Sequence, residues 1–503
     1  MSEPAARSLD PAHRWGELAG GLPAVADTLE AAIGEATALG ASFADARLSE
    51  TEELRLYAVS GRPVDERVEG NAGIGVRALV DGAWGFASIP LSGDDDGRRV
   101  AHLAIAGARA AAQSGARGRV DLPPCPPASG AYQTQVALDP FAVAAGERER
   151  IVESALRAAL AEPGVVHAQA GVNAKRQHRY FANSEGSRNE QHFVETGGMV
   201  LCNASGHGIV QRRSFPNSFH GNTGAAGWEY VLGLDLPGQA ARVGAEAVAL
   251  LTAPTISSGS GSLVIGPAQM ALQVHESTGH PLELDRILGD EANFAGRSFI
   301  GADAVGALQY GSPAVNVTAD PTVPGTRGSF AFDDEGTPAR RTPLISEGVI
   351  SNFLSSRDSA ARLGQRSTGA ARSDGWGFLP LCFATHVFLE PGEGSTDELL
   401  ERMGDGYYLD DNRSWSIDSR RLSFQFGTEV AWEVRKGRRT RLVRDFSYGG
   451  VTPQFWGSVE AVAGPEEFRI FGMPCGKGEP KEWGFLSHGA APTLVRDVRI
   501  GVA

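Results

Sequence analysis

The sequence predicts an α+β fold: an N-terminal α/β domain over residues 1–255, followed by a β-rich, barrel-like C-terminal domain over residues 256–503. Three observations carry this. In the first half, segments with apolar residues at helical spacing alternate with period-two segments. Near the middle, the stretch Ser257-Ser-Gly-Ser-Gly-Ser262 reads as a linker. From about residue 300 onward, short alternating runs separated by Gly, Asp and Asn predict mostly antiparallel strands, closed into a barrel-like sheet.

Residues 22–40 place apolar side chains at helical spacing and end near Gly40, which predicts a first helix. Phe43 to Val59 alternates and reads as a strand pair. Gly73 to Val80 reads as another strand, Asp81-Gly82 as a tight turn, and Ala83 to Ala87 as the returning strand. Residues 95–114 form an Ala-rich amphipathic helix, and the proline cluster after Leu122 an irregular connector. A helix is expected over about 140–161 and strands from Val165 to about His220, with turns at Asn183–Gly186 and Asn203–Gly206. Residues 237–252 read as helical. After the linker, Leu263-Val-Ile is a short buried strand, and Gly266-Pro267 opens a helix that carries His275.

The 64 glycines follow no fixed period, which excludes collagen-like and repeat architectures and fits a protein with many turns. A net charge of −14 argues against nucleic acid or an anionic membrane as the partner. The one basic run, Arg435 to Arg441, reads as a solvated hairpin turning at Gly437. The four cysteines, Cys125, Cys202, Cys382 and Cys475, are scattered and form no disulfide framework. The first residues lack an apolar signal core, and no run of about 18 apolar residues occurs, so a cytoplasmic location is expected.

The chemistry-bearing motif is His275-Glu276-Ser-Thr-Gly279-His280. Neutral imidazole is a common metal ligand, and a Glu beside the first His suits a general base for a metal-activated water. The spacing is one residue longer than in H-E-x-x-H. On an ideal helix five residues leave the two histidines ~140° apart, too far to share one ion. The helix must therefore contain a π-type extra residue or end before His280. Gly279 and Pro281, on either side of His280, supply that distortion. Spacing alone leaves open two polar residues on a solvated helix end. A third ligand is open among the other histidines, the cysteines and many carboxylates. Glu283 and Asp285 can bind metal or orient a ligand, and Cys475, in a glycine-rich turn, reads as a small buried turn residue or as a thiolate ligand.

Several blocks in order give the chain a resemblance. They are Gly73-Ile-Gly-Val-Arg-Ala with Trp84-Gly-Phe-Ala, Ala182-Asn-Ser-Glu-Gly186, and Val264-Ile-Gly with His275 to Asp285. Asp333 to Pro338, Leu344 to Ile350, and Cys475-Gly-Lys-Gly-Glu-Pro480 complete the set. Together they resemble the TldD/PmbA metallopeptidase family, on its catalytic, TldD-like side. The resemblance implies zinc (Zn2+) held by His275, His280 and Cys475, with Glu276 as general base. It also implies a peptide substrate, small or unfolded and bound in extended form, and a homodimer or a heterodimer with a PmbA-like homologue. Neither nucleic acid nor membrane enters as a partner.

The chain departs from the family pattern at Leu379 to His386, at Ser367 to Arg372 and at Ser487-His488-Gly489. These departures spare the expected ligands and bear on substrate and partner. Two other readings follow: a non-catalytic partner or scaffold subunit, and a zinc-dependent hydrolase of a non-peptide amide. Among single residues, His386 and His488 read as carbonyl-polarising groups or as plain hydrogen-bonded histidines, and Tyr407 and Tyr408 carry the same ambiguity. Asp333-Asp334-Glu335 reads as a solvated turn, with a second metal site as the alternative.

Overall fold

The structure is a computed structural model that describes residues 22–115, 119–218 and 221–501. The N-terminal stretch assessed above for a signal core and the expected strand end at His220 lie outside these residues.

An eight-stranded sheet is built from residues 43–224. Its main order is Ala83–Pro90, Asp65–Val80, Phe43–Val59, Val165–Asn183, Arg188–Gly206, Ser129–Gln133; Ile209–Phe215 and Asn222–Gly224 also pair with Arg188–Gly206. Even-numbered residues of the two central strands point to one face, as period two requires. There, Ala44, Ala46, Leu48 and Tyr180 pack under the helices Leu22–Ala38 and Asp96–Ser114. Further along the same face, Leu54, Leu56, Ala170 and Val172 pack under Ala145–Leu160 and Leu236–Leu250. Two helix pairs thus cover the two ends of one face.

The opposite face is polar and buried against later parts of the chain. Arg47 donates to Ser373 Oγ at 2.6 Å, Arg179 to Asp334 at 2.7 Å, and Arg77 to Glu335 at 2.9 Å. Asp333-Asp334-Glu335 is therefore no solvated turn; all three side chains are buried. Arg179 and Arg77, which pair with Asp334 and Glu335, sit more than 150 residues away in sequence, beyond the reach of a local reading. The Gly73-Ile-Gly75 block has a steric role on this face. A Cβ on Gly73 would come 2.3 Å from the Trp376 indole, and one on Gly75 would come 2.2 Å from the Trp376 carbonyl oxygen.

Five strands close the barrel expected from the sequence. Gly259–Ile265 pairs in parallel with Gly406–Ile417, which pairs with Ser423–Arg435. That strand pairs with Ser447–Val451, then Thr493–Ile500, which returns to Gly259–Ile265. A separate six-stranded sheet ends in the order His386–Leu389, Glu482–Ala490, Arg469–Lys477. The helix Pro267–Val274 is packed between the barrel strand Gly406–Ile417 and the last two of these strands.

Three local expectations change. Phe43–Val59 is one 17-residue strand rather than a pair; its polar middle is matched on both sides by long partners. The turn placed at Asn203–Gly206 falls instead at His207-Gly208, both with positive φ. Asn203 to Gly206 remain in strand because they pair with Ile209 to Arg212. The Ser/Gly linker is half strand: Gly259, Ser260 and Gly261 pair with Ile500, Arg499 and Val498. The hairpin at Lys436-Gly437 is as expected, and all four cysteines are free thiols. Among the described residues, no helix is long and apolar enough to cross a membrane.

Candidate metal centre

Gly266 caps the helix Pro267–Val274, with Pro267 in its first turn, where the missing N–H costs nothing. The segment His275–Gly279 then widens into a π-turn, in which the His280 N–H bonds the His275 carbonyl. A 3₁₀ turn, His280–Leu282, follows and ends at Glu283 in extended backbone. The extra residue restores the alignment that an ideal helix denies, and the two imidazole centroids lie 4.4 Å apart. Side chains stabilise the distortion. Ser277 Oγ donates back to the Gln273 carbonyl and accepts from Trp456 Nε1 at 2.9 Å. The Tyr310 hydroxyl donates to the Ser277 carbonyl. Polar groups at the buried bulge thus keep partners.

The hydrogen-bond network assigns both tautomers. His488 Nδ1 donates to the Val387 carbonyl at 3.0 Å, so His488 Nε2 accepts from His275 Nδ1 at 2.8 Å. His280 Nδ1 donates to Glu283 Oε1 at 3.1 Å. Each ligand-candidate histidine therefore carries its proton on Nδ1 and its lone pair on Nε2, which in His280 accepts from the Cys475 thiol. Burial holds His275 well below the usual imidazole range, reinforced by the neighbouring His280 and His488; burial also lowers His280. Both are neutral at neutral pH, as ligation requires.

Cys475 arrives on the edge strand Arg469–Lys477, with Sγ 3.3 Å from His280 Nε2. Donor atoms of His275, His280 and Cys475 all lie within 4.8 Å of one another. Tetrahedral zinc, at ~2.3 Å from sulfur and ~2.0 Å from nitrogen, would space S and N by about 3.5 Å. Two imidazoles and a thiol at these separations fit that ion. Burial and the charges of Glu276 and Glu283 push the Cys475 thiol up to about 12, so ligation would have to release its proton.

Behind the ligands, Glu283 and Asp285, read from the sequence as ligands or orienting groups, join a charged cluster through Lys477. Lys477 is fully buried, and its ammonium donates to Glu283 Oε2 at 3.0 Å and Asp285 Oδ1 at 2.9 Å. Burial alone would raise the Glu283 carboxyl, but Lys477, His280 and Arg286 hold it far below the usual range. Glu283 thus orients His280, while Asp285 serves Lys477. Glu276 lines the same cleft as the three ligand candidates and is paired with Arg421. The cleft is about 700 Å³, and Phe294, Trp415 and Trp483 stand on its walls.

Other candidates fall elsewhere. His488 lies behind His275 rather than on the cleft wall, and His386 bonds Ser487 Oγ at 2.8 Å; both are buried, hydrogen-bonded histidines. Tyr407 and Tyr408 belong to the barrel and do not line the cleft. Arg421 carried no sequence signal; Lys477, two residues after Cys475, had only its proximity.

This is an α+β protein whose barrel and adjoining sheet hold two histidines and a cysteine at a π-turn. Residues 258–501 match the model of the PmbA/TldA metallopeptidase C-terminal domain, and residues 44–112 that of PmbA/TldA metallopeptidase domain 1. A "Metalloprotease" of Methanothermobacter thermautotrophicus is 30% identical over 439 residues, covering 86% of this chain and 90% of the relative. A "Zinc metalloprotease TldD homolog" of Saccharolobus solfataricus is 24% identical over 253 residues, covering 50% of this chain and 54% of the relative. TldE from Thermococcus kodakarensis shares the fold, with a TM-score of 0.73 at 16% identity over 94% of this chain and all (100%) of that one. The chain belongs to the TldD/PmbA metallopeptidase family.

Proposed function

We propose that the chain is a zinc-dependent peptidase of small or unfolded peptides, with His275, His280 and Cys475 as metal ligands and Glu276 as general base. The observation that carries this reading is the convergence of two Nε2 lone pairs and a thiol beside a carboxylate in one open cleft. Zinc held there would supply Lewis acidity, lowering the pKa of a water toward ~7 and polarising a substrate carbonyl. Glu276 takes the proton of the attacking water and delivers it to the leaving amine. Arg421 holds the Glu276 carboxylate in place for that transfer.

The strand that carries Cys475 favours an extended substrate. It is the outer strand of its sheet. The Gly472 N–H faces away from the neighbouring strand, toward Asn222 Oδ1 at 2.7 Å. By period-two alternation the Pro474 carbonyl and the Gly476 peptide groups face the same way. A peptide can add there as a further strand, held by main-chain bonds with little sequence preference. Phe294, Trp415 and Trp483 offer apolar contacts to its side chains. The chain works as a homodimer or with a PmbA-like homologue, in the cytoplasm, and divides into units 1–255 and 256–503.

The test is metal analysis combined with peptide hydrolysis. Purified protein is expected to carry one zinc at this centre, and Glu276→Gln to keep the zinc while losing hydrolysis by at least ~100-fold. Unchanged hydrolysis by Glu276→Gln would sink the catalytic assignment. Peptidase-inactive protein with full zinc occupancy would favour the non-peptide amide reading.

A further inference from the structure

The helix-covered face of the first sheet has a gap between its two helix pairs, and the gap holds a second convergence of metal-type donors. Glu50, His178 and His192 lie side by side on three adjacent strands: Glu50 pairs with His178, and His178 with His192. Directly paired residues share a face. Their even-numbered neighbours Leu48 and Tyr180 lie in the core under one helix pair, and Leu54 and Ala174 in the core under the other.

Within the gap, Glu190 Oε1 is 2.9 Å from His178 Nε2 and 3.1 Å from His192 Nε2. The two imidazole centroids are 3.4 Å apart. Donor atoms of His178, Glu190 and His192 lie within 4.8 Å of one another. Two imidazoles this close cannot both be imidazolium without strong repulsion. Each Nε2–H donates to Glu190 here, and an entering ion takes the place of those protons as each ring shifts its N–H to Nδ1. The Tyr180 hydroxyl lies 3.1 Å from His178 Nδ1. It can accept from Nδ1–H when Nε2 gives its lone pair to a metal, fixing the ligating tautomer. Glu50 adds a buried carboxylate on the same row. The side chains of Glu190 and His192 are 31% and 40% exposed, so an ion has a way in from solvent.

We propose that His178, Glu190 and His192 form a second divalent-cation site, separate from the cleft centre and selective for imidazole-preferring ions such as Zn2+, Co2+ or Ni2+. The odd-numbered residues of the same strand, Lys175 and Arg179, face the other way, toward Phe485 and Asp334. The two centres thus lie on opposite sides of the sheet. The site binds its ion through the neutral imidazoles and one carboxylate, with no thiolate.

The test is titration of chelator-stripped full-length protein with Zn2+ against a chromophoric competitor, and with Co2+ by absorption. Wild type is expected to bind two equivalents. His178→Ala with His192→Ala should lose one equivalent and keep the thiolate-to-cobalt charge-transfer band that belongs to Cys475. His280→Ala with Cys475→Ser should lose that band and keep the other equivalent. Should the double alanine variant unfold by circular dichroism, Glu190→Gln with His192→Asn, at partly exposed positions, carries the same expectation. Equal stoichiometry in wild type and the folded variant at this site overturns the proposal, whatever the cleft centre binds.

Discussion

His275 Nδ1 donates to His488 Nε2 at 2.8 Å, and His488 is itself anchored to the Val387 carbonyl on the neighbouring strand. This relay fixes the His275 ring and leaves its Nε2 for a ligand. His488→Phe should keep the buried ring volume and remove the acceptor. Zinc affinity is expected to fall ~10–100-fold, as for other partners that orient a ligating histidine. A competition titration with a chromophoric chelator reads it directly. Affinity unchanged in the variant would mean that packing alone orients His275.

Lys477 is the only cation that touches both Glu283 and Asp285 among their described ion pairs. Lys477→Met would leave two carboxylates in a buried site, with Arg286 reaching Glu283 alone. Removing one partner of a buried charge group costs about 3–5 kcal/mol. A urea-unfolding midpoint well below wild type is expected. Zinc affinity should fall with it, because Glu283 orients His280.

How far the sequence disclosed this arrangement differs from residue to residue. The π-turn was legible because H-E-x-x-x-H conflicts with ideal helix geometry and Gly279 and Pro281 stand where the conflict must be relieved. The barrel was legible from alternation and turn residues. The placement of Cys475 against His280 was not, because it depends on which strand forms the sheet edge some 195 positions later and came only through resemblance. The role of His488 was hidden for the same reason: its partner His275 lies across a sheet-to-helix contact. The acidic run at Asp333 looked solvated because Arg77 and Arg179, which pair with it, are remote in sequence. A Ser/Gly run looked like a linker because small residues give no periodic signal, although the barrel uses them as strand.

Gly73 and Trp376 make a steric lock between the first sheet and the later chain. The Trp376 indole donates to Asn71 Oδ1 at 3.0 Å and lies over Gly73. Gly73→Ala places a methyl within 2.3 Å of the ring, so the indole must move. Destabilisation of about 1–3 kcal/mol is expected from overpacking. The discriminating measurement is the double variant with Trp376→Ala: it should show a much smaller penalty for Gly73→Ala than wild type does. An equal penalty in both backgrounds would place the cost in the strand backbone instead.

Asp334 links Arg179 of the first sheet to the segment at Ser373, whose N–H it accepts at 2.7 Å. Burial by itself would raise this carboxyl. The charges of Arg179, Arg372 and Arg47 outweigh it and hold the group down to about 2, against an ordinary value of 3.8. The folded-state pKa is therefore below the unfolded one, so Asp334 contributes stability above about pH 4 and loses it as pH falls toward 2. That depression corresponds to roughly 2–3 kcal/mol. Asp334→Asn should destabilise the protein at neutral pH, since three buried guanidinium groups lose a counter-charge. It should also flatten the acid side of the stability profile, because the amide does not titrate. Urea midpoints measured in steps between about pH 6 and 2.5 test both parts: the gap between wild type and variant should narrow below pH 4. A gap that stays constant through that window would show that Asp334 shares no proton linkage with folding and that the arginine cluster is neutralised by other carboxylates.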